Sequence, residues 1–378
     1  MPELPEVEVV RGGLEPAITG ALITGVEVFD VRSLKRHNAL AGSFEALLTG
    51  ERMLAAVRRG KFLWLPLSSG RALVIHLGMS GQVLLRSPGT AEDGLLRIRL
   101  SIEHPTLGEY WVNFVDQRIF GSMAVDVLLP TPDGRAGGFS GPGLEAGWPH
   151  ASAALSASAA VATPNPLARA TPARPPAPSP AAPSPAAPSP AAPSPAALRP
   201  PAPSPLAAAD PPPEWLAAVP SQVAHIARDP LDPAFDERSF FAALKRKNTG
   251  IKRALLDQTL VSGIGNIYAD ESLWAAKVHY AQPTASLSAA KARLLLTEVR
   301  FVLSKALAEG GTSFSETYVN VNGASGYFSH SLNAYAQQGK PCPRCGTLIV
   351  RESFMNRSSH FCPHCQRLRL RSGVSASR

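Results

Sequence analysis

Residues 1–8 read MPELPEVE, and the rest of the chain is organised around this stretch. Removal of the initiator methionine, which the small Pro2 permits, would leave a secondary amine beside the carboxylate of Glu3. An α-amine has a pKa of about 8, so a useful fraction of it is an unprotonated nucleophile at neutral pH. Attack on C1′ of a deoxyribose would give an iminium, with Glu3 and Glu6 moving protons. An ordinary helix start, with acids at the positive end of the helix dipole, is the alternative.

Length and charge narrow the class of protein. The 378 residues can form two domains with real cores. The formal charge of +8 is concentrated late in the chain, because residues 340–378 hold eight Lys or Arg against one acid, a net of +7. Such a segment is typical of phosphate contact, although a solvated basic tail has the same composition. No apolar run approaches the length of a membrane span, so the sequence predicts a cytoplasmic protein with no membrane partner.

Residues 1–133 predict an antiparallel β-sandwich domain that follows one helix over about residues 5–16. Segments rich in β-branched and aromatic residues are punctuated by Gly, Pro, Ser or Asp, which is the pattern of strands. The predicted strands cover residues 25–31, 58–67, 71–77, 82–86, 95–102 and 109–115. Two packed sheets are an architecture that buries one face of each such strand.

The composition changes sharply over residues 134–219, where Ala, Pro, Ser and Gly dominate and Pro-Ser-Pro-Ala-Ala repeats with period five. Such a segment buries no core, so we predict a disordered linker; binding of an SH3-like partner is the alternative. Residues 220–335 predict a helical DNA-binding domain. Its predicted helices cover about 235–247, 251–258 and 288–309, with another after the turn at 263–266. A zinc module at 336–368 and a basic tail at 369–378 complete an α+β fold.

Four cysteines lie in two close pairs separated by sixteen residues: Cys342 and Cys345, then Cys362 and Cys365. In a cytosolic chain this spacing indicates a metal rather than disulfides. Four thiolates leave no open coordination position, so the sequence predicts one structural Zn²⁺ ion rather than a catalytic one. The residues between the two pairs predict a β-hairpin with Arg357 at its turn.

Three residues in predicted turns of the β-domain suit insertion into a DNA duplex: Met79, Arg118 and Phe120. A thioether and an aromatic ring can wedge between bases, while a guanidinium hydrogen-bonds the orphaned base. Packing in the core is the alternative for Met79 and Phe120. Lys61, at the start of an apolar strand, either faces a phosphate or keeps an edge strand from aggregating.

The helical domain contains a further set of candidate DNA contacts. Lys247 ends its first helix, and Gly263 and Gly265 flank the turn before Asn266. Two glycines let the backbone approach a phosphate, and the helix N-terminus behind them would offer unpaired amides. Asn266 can donate its side-chain amide to the same phosphate. Residues 310–328, rich in Gly, Asn, Ser and Thr, predict a mobile loop with many hydrogen-bonding groups.

These motifs resemble the formamidopyrimidine-DNA glycosylase (MutM) family. They occur in family order and cover the chain outside residues 134–219. The resemblance implies that the catalytic residues are Pro2, Glu3, Lys61 and Arg357, with support from Glu6. It implies that the DNA contacts are His76, Met79, Arg118, Phe120, Lys247, Gly265 and Asn266. It also implies a loop over the everted base, with contacts from Thr312, Ser313 and Tyr318, and a helix-two-turn-helix module.

The sequence departs from the family pattern at two places. Gln117 and Ile119 stand where the family usually has Pro and a second Arg, a change that leaves Met79, Arg118 and Phe120 intact. Residues 92–94, Glu-Asp-Gly, stand where the family has a histidine-containing stretch. A histidine contact with a phosphate is therefore not expected at that point.

The resemblance implies a bifunctional DNA glycosylase and AP lyase that acts as a monomer on damaged double-stranded DNA at the bacterial nucleoid. Its substrates would be 8-oxoguanine and formamidopyrimidines, and β- and δ-elimination would leave a one-nucleotide gap. An endonuclease VIII-like glycosylase for oxidised pyrimidines is the enzymatic alternative. A non-catalytic binder of damaged DNA is the other alternative, and the presence of both Pro2 and Glu3 counts against it.

Overall fold

The computed structural model describes residues 2–141, 213–312 and 328–369. The first range is mainly β-structure, with two helices, α1 (Leu4–Ile18) and the short α2 (Phe44–Leu48). Its strands are β1 (Leu22–Val28), β2 (Val57–Arg59), β3 (Phe62–Pro66), β4 (Arg71–His76), β5 (Gly81–Arg86), β6 (Leu96–His104), β7 (Gly108–Asp116) and β8 (Ser122–Pro130). A further strand, β9 (Ala218–Pro220), comes from the second described range.

Two antiparallel sheets form this domain, with strand orders β1-β6-β7-β5 and β2-β3-β4-β8-β9. Side-chain alternation directs one face of each sheet into a shared core. In β6, Ile98, Leu100 and Ile102 are buried, whereas Glu103 is exposed. Strands of both sheets and helix α1 contribute to the same core cluster. The predicted β-sandwich is confirmed.

The strand predicted over residues 58–67 is instead a hairpin, β2 and β3, whose turn is Gly60-Lys61. Gly60 has a φ of +57°, a value that side chains with a Cβ rarely adopt. A Cβ at this position would also lie 2.6 Å from the Cβ of Ser262, in the second half of the chain. The turn therefore needs glycine for its own conformation and for close approach to the helical domain.

Residues at both ends of the predicted linker, 134–219, belong to the β-domain instead. Phe139 exchanges two backbone hydrogen bonds with Arg58, of 2.8 and 2.9 Å. Residues 214–217 form a short 3₁₀ helix that leads into β9, which pairs with β8. Val223 and Ile226 then pack in the same cluster as Trp64, so the β-domain also holds the start of the predicted helical domain. These flanks carry apolar side chains that the β-domain buries, which explains the difference; residues 142–212 lie outside the described residues.

The remaining elements are helices α3 (Glu237–Arg246), α4 (Ile251–Leu256), α5 (Asn266–Ala275) and α6 (Ala289–Ala308), and the hairpin β10 (Val350–Phe354) with β11 (Arg357–Phe361). Side-chain caps fix two starts, because Asp236 accepts from the Ser239 amide and Ser288 from the Lys291 amide. Leu4 of α1 belongs to the core of these helices. None of the described helices is long and apolar enough to cross a membrane.

Candidate active site

The carboxylate of Glu3 is buried at the start of helix α5. Its side chain is 3% exposed and accepts hydrogen bonds from the backbone amides of Gly265 at 2.6 Å, Ile267 at 3.0 Å and Tyr268 at 3.4 Å. Amides at a helix N-terminus are a ready-made anion site. The prediction that these amides are unpaired and free for a phosphate is therefore wrong, since the chain's own N-terminal acid occupies them.

Two glycines make this approach of the N-terminal segment possible. A Cβ at Gly265 would lie 2.2 Å from the carboxyl carbon of Glu3. Gly263 has a φ of +85°, and a Cβ there would lie 2.7 Å from the side chain of Leu4, whose amide donates to the Gly263 carbonyl. The glycines thus admit the chain's own N-terminus, whereas the sequence suggested that they admit a phosphate.

Glu6 holds the backbone of Glu3 through a hydrogen bond. One oxygen of Glu6, Oε2, accepts the backbone N–H of Glu3 at 2.8 Å. The other oxygen, Oε1, accepts from the Tyr268 hydroxyl at 2.6 Å and from the Thr312 amide and hydroxyl at 2.8 and 2.9 Å. Thr312 is thus placed beside the acid pair. The two other predicted loop contacts, Ser313 and Tyr318, lie outside the described residues.

Lys61 and Arg357 act on the same site through their charges. Burial lowers the pKa of the Lys61 ammonium, and the positive charge of Arg357 lowers it further, against the opposing effect of Glu3 and Glu6. Burial raises the pKa of Glu3; the charge of Lys61 opposes that effect and the charge of Glu6 adds to it. The acid is thereby moved toward its protonated form and the lysine toward its neutral form. Such opposed shifts are typical of groups that transfer protons.

A buried ion-pair network fixes the strand that carries Lys61. Arg58 binds Glu8 of helix α1 at 2.7 Å and Asp229 at 2.8 Å, and all three side chains are buried. Our sequence reasoning gave none of them a role. Glu8 lies in the opening stretch and Arg58 lies close to Lys61, so their positions beside those motifs could have indicated a role. No motif near Asp229 indicated one.

A cleft of about 720 Å³ lies beside this site. Its lining side chains include the cations Lys61, Lys247, Arg253 and Arg357, together with His76 and Asp257. Lys247, predicted to contact DNA, pairs with Asp257 at 2.6 Å and is about two-fifths exposed. Cations that outnumber acids in a cleft match a phosphate backbone.

His76 enters the cleft as a neutral side chain. Burial lowers its pKa to about 4, helped by the positive charges of Arg36, Lys35 and Lys61. The Nδ1 atom of His76 accepts the N–H of Gly78 at 3.2 Å. A neutral ring that accepts at Nδ1 carries its proton on Nε2. The predicted DNA contact of His76 would therefore use Nε2–H as a donor.

The three predicted wedge residues lie together at the surface. Met79 and Phe120 are 40% and 44% exposed, and the guanidinium of Arg118 lies 5.0 Å from the Phe120 ring. The two turns touch, since a Cβ at Gly78 would lie 2.3 Å from the backbone of Phe120. Packing of Met79 and Phe120 in the core, the alternative, is thereby excluded.

Strand β11, which begins at Arg357, is attached to helices α4 and α5. Asn266 donates its side-chain amide to the Ser358 carbonyl at 3.2 Å. The ammonium of Lys252 donates to the same carbonyl at 2.9 Å and pairs with Asp270 at 2.6 Å. Asn266 thus positions the residue next to Arg357. Sequence reasoning missed Lys252 and Asp270, whose charges gave no local signal of burial.

The four cysteine sulfurs lie within 4.8 Å of one another. Zn–S bonds of about 2.3 Å in a tetrahedron place sulfurs about 3.8 Å apart. The sulfur of Cys345 lies 3.5 Å from that of Cys362 and 3.4 Å from that of Cys365. The indole N–H of Trp274 points at the Cys342 sulfur at 3.4 Å. The residues therefore fit one structural zinc ion.

The departures from the family pattern also have structural roles. Asp93 accepts from the Arg86 guanidinium at 2.8 Å and from the Asn113 amide at 2.8 Å, so it holds the end of β5 to β7. Gln117 is exposed, and Ile119 has a φ of +55° in the turn that presents Phe120. An acid that ties strands together thus stands where the resemblance would have led us to expect a histidine contact with a phosphate.

The buried acid, the lysine with a lowered pKa and the hairpin arginine meet beside a cleft rich in cations, next to exposed wedge residues. A buried acid, cations along a cleft and exposed side chains that can wedge between bases suit a flipped nucleotide and its phosphates, so the fold and the site are those of a DNA-repair glycosylase. Three family models match the chain. They are the formamidopyrimidine-DNA glycosylase N-terminal domain over residues 1–123, its H2TH domain over 226–317, and a zinc finger found in FPG and IleRS over 339–368.

Known relatives agree with these matches over nearly the whole chain. The formamidopyrimidine-DNA glycosylase of Leifsonia xyli is 56% identical, covering 97% of this chain and all of that protein. The enzyme of Thermobifida fusca is 44% identical over 97% of each. The crystal structure of MutM from Thermus thermophilus has a TM-score of 0.64 and 27% identity, covering 98% of this chain and all of that chain. The chain belongs to the formamidopyrimidine-DNA glycosylase family.

Proposed function

We propose that this chain is a bifunctional DNA glycosylase and AP lyase of base excision repair that removes oxidised purines from duplex DNA. Family membership supports the reaction class. A Lactococcus lactis Fpg variant of the same fold, at 25% identity and a TM-score of 0.64, is known in complex with DNA that contains Fapy-dG. Formamidopyrimidines and 8-oxoguanine are the proposed substrates. The enzyme acts as a monomer in the cytoplasm, at the nucleoid.

Pro2 is the nucleophile and Glu3 the acid. After removal of Met1, the Pro2 nitrogen forms a bond to C1′ as the bond from C1′ to the damaged base breaks; the base leaves with that electron pair and takes up the proton lost from the Pro2 nitrogen. Glu3 donates a proton to the ring oxygen O4′, which opens the sugar and leaves an iminium between Pro2 and C1′. Burial raises the pKa of Glu3, which supports its role as a proton donor. Pro2 itself is buried beside it.

Lys61 and Arg357 serve the two eliminations. The iminium makes the C2′ proton acidic, and loss of that proton expels the phosphate on the 3′ side. A second elimination removes the C4′ proton and expels the phosphate on the 5′ side; water then hydrolyses the iminium, which frees Pro2 and the sugar fragment and leaves a one-nucleotide gap. Both cations line the cleft, where they can neutralise the departing phosphates. A lysine with a lowered pKa is also suited to accept a proton.

The wedge residues and the loop prepare the substrate. Met79 and Phe120 insert into the stack that the flipped base leaves, and Arg118 hydrogen-bonds the orphaned base. Their exposure supports this role. Thr312 begins the segment that covers the flipped base, with Ser313 and Tyr318 as further contacts. Lys247, Asn266, His76 and the zinc hairpin grip the backbone.

One observation supports the proposal most directly: the three amides at the start of α5 converge on Glu3. A non-catalytic binder of DNA has no need to bury an acid at the N-terminus and to surround it with donors. Burial of that carboxylate costs free energy, which a catalytic role explains.

The test is borohydride trapping on a duplex with 8-oxoguanine. We expect a covalent adduct on the N-terminal peptide, absent in Pro2→Gly and in protein that retains Met1. A parallel duplex with thymine glycol should react more slowly. Tight binding without any adduct would overturn the enzymatic proposal, and faster cutting of thymine glycol would overturn the assignment of oxidised purines.

A further inference from the structure

A second cavity of about 420 Å³ shares no lining residue with the active-site cleft. It lies between the loop before α6, the first turn of α6 and the chain around the last zinc-ligand cysteine. Four of its lining side chains are cations and none is an acid: Lys277, Lys291, Arg367 and Arg369. The cleft has four cations but also holds Asp257. The second cavity therefore carries the larger uncompensated positive charge.

The cations of this cavity repel one another. The Lys291 ammonium donates to the Ala276 carbonyl at 3.0 Å, a neutral partner. Burial lowers the pKa of Lys291, and the positive charges of Arg369 and Lys277 lower it further. No ion pair among the described residues involves any of the four. A bound anion would remove this repulsion.

The backbone holds these cations in place. Gln282 is 6% exposed, donates to the Arg369 carbonyl at 2.7 Å and accepts the Arg369 amide at 2.9 Å. Gln366 donates to the Val278 carbonyl at 2.9 Å. Helix α6 adds the positive end of its dipole, because its N-cap, Ser288, lines the cavity. The chain after the zinc ligands is thus fixed against the loop before α6, so the like charges stay together.

We propose that this cavity binds backbone phosphates of the duplex several base pairs from the lesion. The proposal rests on the DNA-repair function proposed above. The zinc module reaches both sites, since residues 354–357 line the cleft and Cys365, Arg367 and Arg369 line the cavity. Strand β11 between them advances about 14 Å over its four residue steps. A duplex rises by that length in about four base pairs.

The test compares the full-length, zinc-loaded protein with a Lys291→Gln, Arg369→Gln double variant. Binding is measured over a salt series on a long duplex of about three helical turns and on a short duplex that extends only about three base pairs to each side of the lesion, each with a reduced abasic site. On the long duplex we expect the slope of log affinity against log salt to fall by about 2, because each lost phosphate contact removes about 0.9. On the short duplex the two proteins should bind equally.

Arg293→Gln is the matched control, because Arg293 is exposed on the same helix and lines neither cavity. It should leave both slopes unchanged. Zinc content of the double variant should equal that of the wild type and its unfolding temperature should not be lower, since Arg369 is exposed, Lys291 is half-buried and the exchange relieves like-charge repulsion. Equal slope losses on both duplexes, or no loss on the long one, would overturn the inference.

Two further measurements distinguish the cavity from the active site and from a site for free anions. Excision of 8-oxoguanine from the short duplex reports on the proposed function alone, and we expect both proteins to retain it. Failure of both would count against that function, whereas normal excision without length dependence counts only against the cavity. The second measurement is the unfolding temperature with inorganic pyrophosphate. If pyrophosphate raises it in the wild type but not in the double variant, and the long-duplex slope is the same for both proteins, the cavity binds a free anion and its assignment to DNA is overturned.

Discussion

The Tyr268 hydroxyl donates a hydrogen bond of 2.6 Å to Oε1 of Glu6, whose other oxygen accepts the backbone N–H of Glu3. Burial raises the pKa of Tyr268 well above its ordinary value, and the charges of Glu6 and Glu3 raise it further, so the hydroxyl stays a donor. Helix α5 therefore acts on the N-terminal acid twice, through its backbone amides and through this phenol.

Replacing Tyr268 with Phe should slow excision while it preserves the packing of the ring against Phe328. A hydrogen bond to a charged group contributes about 1.5–3 kcal/mol, so the single-turnover rate should fall about 10- to 100-fold. Tyr110→Phe, on strand β7 away from the site, is the control and should cut at the wild-type rate. A wild-type rate in Tyr268→Phe would show that Glu6 needs no phenol.

Gly265→Ala should slow trapping of the iminium by about 100-fold or more without unfolding the protein. The new Cβ would occupy the space of the Glu3 carboxylate, and a displacement of about 1 Å costs about 100-fold in rate. Gly12→Ala is the matched control, since a Cβ there meets nothing within 4 Å inside helix α1. We expect this control to raise the free energy of unfolding by about 1 kcal/mol, with unchanged trapping.

Met79→Ala and Phe120→Ala should affect base flipping and not stability. Both side chains are about two-fifths exposed, so the free energy of unfolding should change by less than about 0.5 kcal/mol. Leu63→Ala, a fully buried contrast, should lose about 2–5 kcal/mol. Flipping is followed by the fluorescence of a base analogue beside the lesion. A large loss of stability in Phe120→Ala would contradict the exposed position of that ring and indicate packing in the core.

His76 should make the folded state sensitive to acid. Its pKa is lowered from 6.5 to about 4 in the folded protein, mainly by burial. The unfolded chain therefore binds a proton at a higher pH than the folded one, and the free energy of unfolding falls as the pH drops from 6.5 toward 4. Between neutral pH and about pH 5, urea unfolding should show a loss about 1–2 kcal/mol larger in the wild type than in His76→Gln. Equal losses in both proteins would contradict this.

Loss of the zinc ligand Cys362 should weaken DNA binding more than it harms the β-sandwich. In Cys362→Ser we expect zinc to be lost and affinity for a lesion duplex to fall about tenfold or more, because metal binding contributes directly to folding of such a hairpin. Trp274, whose indole points at Cys342, should report the loss by a change in fluorescence, and Trp274→Phe should remove that signal. Full affinity without zinc would contradict the assignment.

Local features were predicted best. The spacing of the four cysteines was sufficient for the zinc module, because its ligands come from two tight turns. The helix predicted over 288–309 is α6 with its two caps, since Ser288 is a preferred N-cap residue that marks the start of the helix. The alternation of apolar residues predicted most strands of the sandwich. The same pattern predicted one strand where the structure has β2 and β3, because the two-residue turn at Gly60 interrupts the alternation only briefly.

The sequence alone indicated the class of protein through local motifs: Pro2 followed by Glu3, cations beside predicted turns, and the spacing of the four cysteines. Only the tertiary structure decided how the site is built, because its decisive contacts join distant residues. Glu3 meets the amide of Gly265, 262 positions away, and Arg58 pairs with Asp229, 171 positions away. Burial and hydrogen bonding of a carboxylate depend on what folds over it, and no local pattern records that neighbour.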